Sequence, residues 1–105
     1  MTRWVEACAV DDVEREDVVA VVDGDRVYAV YRSEDDEFFA TAGHCTHGRA
    51  PLCEGLVMDG VIECPRHNGR FDFRTGRALG APVLVDLATY PVVVRDGRVY
   101  VDVDG

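Results

Sequence analysis

Three Asp-Gly pairs, at 23–24, 59–60 and 96–97, each fall between runs rich in β-branched and aromatic residues. Such a pair supplies the positive backbone φ angles that a two-residue hairpin turn demands, so it commits its flanks to pair as antiparallel strands. VVAVV from Val18 is therefore expected to fold back on DRVYAVYRS, LVM on VIEC, and YPVVV on RVYVDV. In RVYVDV the residues Val99, Val101 and Val103 alternate with Tyr100 and Asp102, the period of a half-buried strand with its valines inward. Glu37 to Ala42 (EFFATA) reads as a further strand, reached through the acidic turn Glu34-Asp35-Asp36. No long stretch carries a helical period, and DDVEREDVV offers at most one helical turn. The expected class is all-β.

At 105 residues the chain matches the usual size of one domain. Strand patterns cluster in residues 3–42 and 83–103, whereas 43–82 is rich in Gly, Pro, His and Cys. The expected organisation is a single domain: a small antiparallel barrel or sandwich base, about 1–42 and 83–105, with an inserted subdomain at about 43–82. No apolar run approaches a membrane span, and the first residues show no apolar signal region, which points to the cytoplasm. In a reducing compartment, Cys8, Cys45, Cys53 and Cys64 are expected as metal ligands or free thiols rather than disulfides.

A formal charge of −9 argues against nucleic acid or an anionic membrane as partner. The charge is unevenly spread. Between Gly43 and Gly80, five arginines against four acids leave +1, so the rest of the chain carries −10.

The motif with chemistry in it is Cys45-Thr46-His47, then, after sixteen residues, Cys64-Pro65-Arg66-His67. Each half offers one thiolate and one imidazole from a loop with a closing glycine, Gly48 or Gly69, and the second loop is stiffened by Pro65. A single zinc prefers chelating loops of the type C-x2-C or H-x3-5-H. Here the first pair is separated by one residue, which suits two neighbouring metal atoms better than one. A structural zinc module is the competing reading of the same four side chains.

C-T-H-G followed by C-P-x-H-x-G resembles the Rieske iron–sulfur proteins, in which two histidines replace two cysteines on one iron of a [2Fe-2S] cluster. The resemblance implies that Cys45 and Cys64 hold the inner iron and His47 and His67 the outer one. Two thiolates fewer make the cluster less anionic and easier to reduce than an all-Cys centre. Iron-bound imidazoles would also couple its redox state to protonation. HNGRFDFRTGRAL at 67–79 is similar to the family's second loop and following hairpin, and Gly80-Ala81-Pro82 to its third, proline-containing loop.

Respiratory members of the family carry an extra disulfide beside the cluster and Ser and Tyr hydroxyls that donate to its sulfurs. The aligned positions here are Ala50, Arg66, Gly69 and Phe71, so all four devices are missing. Hydrogen bonds to sulfur favour the reduced, more negative form, and their loss implies a potential in the lower part of the Rieske range. Rieske oxygenases need a second iron held by two His and a carboxylate. Of the three histidines here the cluster would take two, which leaves only His44. No flavin or nicotinamide signature is present either.

The chain thus resembles the stand-alone Rieske ferredoxins of bacterial multicomponent aromatic-ring dioxygenases. The resemblance implies a cytoplasmic, monomeric carrier, not itself an enzyme. It would pass single electrons from a flavin-containing NAD(P)H reductase to a terminal Rieske oxygenase in aromatic compound degradation. The small Rieske-like subunit of nitrite reductase is the alternative. His44 is expected to be a loop side chain, Cys53 a free thiol, Cys8 a buried strand residue, and Phe71 and Phe73 core residues. Arg49 and Arg66 read either as solvated side chains or as groups that steer acidic partner surfaces. The acidic runs Asp11 to Asp17 and Glu34 to Glu37 are expected on solvated faces.

Overall fold

The computed structural model describes residues 2–104 except His67 and Pro82. Its strands are β1 (Trp4–Ala9), β2 (Asp17–Asp23), β3 (Arg26–Arg32), β4 (Phe38–Ala42), β5 (Leu56–Met58), β6 (Val61–Glu63), β7 (Arg70–Asp72), β8 (Thr89–Tyr90), β9 (Val92–Arg95) and β10 (Arg98–Asp102). Short 3-10 turns cover Val10–Asp12 and Leu52–Glu54, and no described residue is in an α-helix. The strands form three antiparallel sheets, ordered β1-β10-β9, β2-β3-β4-β8 and β5-β6-β7.

All three hairpins form. Asp59-Gly60 and Asp96-Gly97 occupy their two-residue turns with both φ angles positive, at 53° and 80° and at 52° and 76°. The first hairpin differs by one residue from the sequence expectation. Asp23 pairs with Arg26, so the turn is Gly24-Asp25, with Gly24 at φ 64° in the first turn position. A glycine there suits the turn with only its first residue at positive φ, and the register gains a pair. EFFATA likewise starts one residue late, at Phe38.

The core divides at β3. Tyr28 and Val30 face a core shared with Val13, Ala40, Val99, Val101 and Val103 between the two larger sheets. Ala29 and Tyr31, on the opposite face, belong to a second core with Leu52, Ile62, Phe71, Phe73 and Val83. A strand covered on both faces reads as a continuous apolar run, which is why VYAVY lacks clean alternation. The Tyr31 ring stacks on Phe73 at 4.6 Å between centroids, and its hydroxyl donates to Thr41 Oγ1 at 2.8 Å. Thr41 in turn donates to the Ala42 carbonyl at 2.8 Å, so the buried hydroxyl pair is satisfied.

Two further expectations need correction. Asp102, expected outward, is 2% exposed, because its carboxylate accepts the N–H groups of Arg3 and Asp104 at 2.9 and 3.1 Å. Cys8 is half-buried rather than buried, at a bulge in β1 where the pairing with β10 shifts. Val13 alone breaks the solvated character of the acidic run it belongs to, since it is fully buried in the base core.

Candidate metal centre

The two loops that carry the expected ligands are built alike. In the first, the Gly43 N–H donates to the Val27 carbonyl at 2.9 Å and the Leu52 N–H to the Gly43 carbonyl at 2.9 Å, which anchors the loop's neck to β3. Above that neck His44 bridges to Pro51, and the Cys45 N–H reaches the Ala50 carbonyl at 2.9 Å. In the second, the Cys64 N–H reaches the Gly69 carbonyl at 2.7 Å. Each cysteine therefore stands at the foot of a tight loop closed on its own N–H. Left-handed residues make the closure possible: Gly48 and Arg49 at φ 84° and 55° in the first loop, Asn68 at 57° in the second.

Cys45 and Cys64 are 2% and 0% exposed and share the second core with Phe71, Phe73 and Val83, whereas His47 is exposed. The first loop thus turns its thiol into the protein and leaves its histidine at the surface. His67 lies outside the described residues. Burial pushes the Cys45 thiol above its ordinary range; the His47 N–H, which donates to Cys45 Sγ at 3.4 Å, opposes this, and the adjoining Cys64 thiol adds to it. Two buried thiols side by side suit soft, strongly charged metal centres, which stabilise the thiolates that burial alone disfavours. The donor set fits an iron–sulfur cluster.

A third loop lies over these two. Thr46 Oγ1 donates to the Val85 carbonyl at 2.6 Å, tying loop one to residues 39 positions away. Val83 packs so closely on loop two that a Cβ on Gly69 would stand 2.5 Å from its Cγ1. Pro82, the residue that suggested this loop from sequence, lies outside the described residues. Neither Thr46, Val83 nor Val85 was singled out by the sequence. Only the position of Thr46 between Cys45 and His47 hinted at a role.

The remaining candidates separate cleanly. Phe71 and Phe73 are fully buried, as expected of core residues, and no hydroxyl is available at positions 69 and 71. Cys53 is a half-buried free thiol in the turn Leu52–Glu54. His44 is half-buried and lines an open groove of about 540 Å³ with Asp25, Arg26, Thr46, Arg49 and Tyr90. Arg49 and Arg66 are exposed.

Comparison with known proteins agrees with this geometry. A family model described as the Rieske [2Fe-2S] domain matches residues 3–91. The ferredoxin component of a naphthalene 1,2-dioxygenase system from Pseudomonas putida is 43% identical over 100 residues, 95% of each chain. Among solved structures, a ferredoxin from Sphingomonas yanoikuyae B1 superposes with a TM-score of 0.88 at 40% identity, covering 95% of this chain and 98% of that one. A ferredoxin in complex with the oxygenase of carbazole 1,9a-dioxygenase superposes with a TM-score of 0.87 at 40% identity, over 94% and 92%. The chain belongs to the Rieske [2Fe-2S] domain family. Its cofactor is a Rieske-type [2Fe-2S] cluster.

Proposed function

We propose that this chain is the electron-carrying ferredoxin component of a multicomponent aromatic-ring dioxygenase, not a catalyst itself. Cys45, His47, Cys64 and His67 would hold the cluster, the cysteines on its inner iron and the histidines on its outer one. When bound, the cluster takes up and releases one electron at a time. The protein's own part is to keep both thiols in a closed core, to hold the three loops against one another, and to leave His47 at the surface.

One observation carries this reading: a buried cysteine and an exposed histidine on a single short loop, with a second buried cysteine beside the first from the neighbouring loop, backed by a packed aromatic core. A group approached from the His47 side exchanges electrons with a docked partner without a substrate pocket. The partners would be a flavin-containing NAD(P)H reductase and a terminal Rieske oxygenase, met one at a time by a monomer in the cytoplasm. No helix among the described residues is long and apolar enough to cross a membrane. Residues 43–82 would form the cluster-binding subdomain on a base of 1–42 and 83–105.

The test is NADH-driven hydroxylation of an aromatic substrate with purified reductase and oxygenase components, with and without this protein. Turnover that depends on it supports the reading. Reduction by the flavoprotein with no transfer to any oxygenase, but coupling to nitrite reduction, would replace it with the nitrite reductase subunit. A colourless protein that binds zinc and gives no EPR signal on reduction would remove both.

A further inference from the structure

The three loops present one composite surface. Leu84 and Val85 stand out of the third loop at 82% and 63% exposure, Leu84 being the most exposed large apolar side chain among the described residues. Val85 sits beside loop one, its carbonyl held by Thr46 at 2.6 Å, and Leu84 precedes it on the rim of a groove shared with Asp72, Arg77 and Asp86. Arg66, from loop two, reaches across to loop one, with its Cδ 3.9 Å from where a Cβ on Gly48 would stand. Arg49 projects from loop one itself. The result is an apolar pair on the third loop, tied at Val85 to the loop that carries exposed His47, with a guanidinium group on each of the two ligand loops.

Those guanidinium groups lack the ion pairs that five others in the molecule make, as do Arg26, Arg74, Arg77 and Arg95 among the described residues. Arg3, Arg15, Arg32, Arg70 and Arg98 each pair with a carboxylate of the chain. Among the described residues neither Arg49 nor Arg66 makes an ion pair or a side-chain hydrogen bond. The acidic residue of the third loop, Asp86, already accepts the Ala78 N–H at 2.9 Å. Unpaired arginines beside exposed aliphatic side chains have the composition of a contact surface rather than of a solvated face.

We propose that this surface docks onto redox partners whose contact site is an apolar socket flanked by Asp and Glu carboxylates. The inference rests on the carrier reading above and adds the partner's chemistry. Charge complementarity decides the sign and the orientation. The three loops carry Arg49 and Arg66 against Asp86 alone, whereas the residues outside 43–86 carry −9, so an acidic socket attracts the loops and repels the base. The molecule is 39 Å along its longest axis, whereas the screening length at physiological salt is about 8 Å, so at contact the partner senses chiefly the loops. Leu84 and Val85 then supply apolar burial suited to a small, short-lived interface.

A partner of this chemistry can be imitated on gold. The cluster-loaded protein is compared by voltammetry on a mixed monolayer of carboxylate- and methyl-terminated thiols and on an amine-terminated one. Electron exchange is expected to be faster on the carboxylate–methyl film at low salt, despite a net charge of −9, and to slow as salt rises. The double variant Arg49→Glu/Arg66→Glu should lose at least about tenfold in rate there, with its visible spectrum unchanged and the rate taken at its own midpoint potential, which the added negative charge lowers. Leu84→Ser should also slow exchange, with the salt dependence kept. Faster exchange on the amine film, or a wild-type rate for the charge-reversed variant, overturns the docking chemistry and leaves the carrier reading standing. A wild-type chain that takes up no cluster overturns both.

Discussion

On one face of β3, Tyr28 and Val30 pack among the valines of β10, while on the other Ala29 and Tyr31 meet two thiols, two phenylalanines and the third loop. The base core is built largely from aliphatic side chains on regular strands, where a lost methyl group leaves register and neighbours intact. The loop core is built from side chains of short segments closed by a few backbone hydrogen bonds, so a small change there shifts a proposed ligand. The difference separates stability, which is spread over the base, from ligand geometry, which is concentrated above β3.

The sharpest break between the regions is chemical. Cys64→Ser should abolish the visible absorption and the EPR signal of the reduced protein, while the far-ultraviolet spectrum of the base strands persists. Cys53→Ser should leave all three unchanged. A colourless Cys53→Ser protein would mean that the ligand set has been misassigned.

Next comes packing. Phe73→Ala removes the ring stacked on Tyr31 and should cost about 3–5 kcal/mol, with cluster loss preceding the unfolding of the base in a denaturant titration. Val99→Ala, in the base core, should cost about 1–2 kcal/mol with cluster loss and unfolding coincident. Equal costs and coincident transitions in both variants would erase the distinction between the cores.

Gly69→Ser tests why a respiratory-type hydroxyl is missing. Its Cβ would meet Val83 Cγ1 at 2.5 Å, so the variant should lose about 1–3 kcal/mol and expose the third loop to hydrogen exchange. Val83→Ala added to it should restore part of the loss. A potential that rises only in the double variant would show that Val83 excludes the donor. Thr46→Val keeps the side chain's shape and removes the bond to Val85. It should cost about 0.5–1.5 kcal/mol, seen as faster amide exchange at residues 83–86 with β1–β4 unaffected.

The smallest effect belongs to the base surface. Hydrogen bonds from the guanidinium of Arg15, and then of Arg32, hold the Asp36 carboxyl below its ordinary range. A carboxylate with a depressed folded-state pKa stabilises above its unfolded value and loses that contribution as pH falls through the folded one. Asp36→Asn should therefore lower the urea midpoint slightly at pH 7, and the gap from wild type should close as pH falls below the ordinary carboxylate range and through the lowered folded-state value.

Much of this molecule is local, and the local part is written in the sequence. The Asp-Gly turns, the alternating valines of β10, the strand at 38–42 and the C-x-H and C-x-x-H motifs each depend on residues within a few positions of one another. Backbone sterics at the turns and the reach of a side chain from its own loop determine them. Other features depend on what arrives from far along the chain. Burial of Asp102 depends on the N–H of Arg3, 99 positions away, and VYAVY became a wall between two cores only when β7 and the third loop closed over it. Thr46 found the Val85 carbonyl, and Gly69 met Val83, through the same closure. The sequence by itself determined which thiols and imidazoles the chain has to offer a metal centre. The tertiary structure decided that the thiols of Cys45 and Cys64 are buried and that His47 is exposed, because burial is set by packing between segments that no local pattern records.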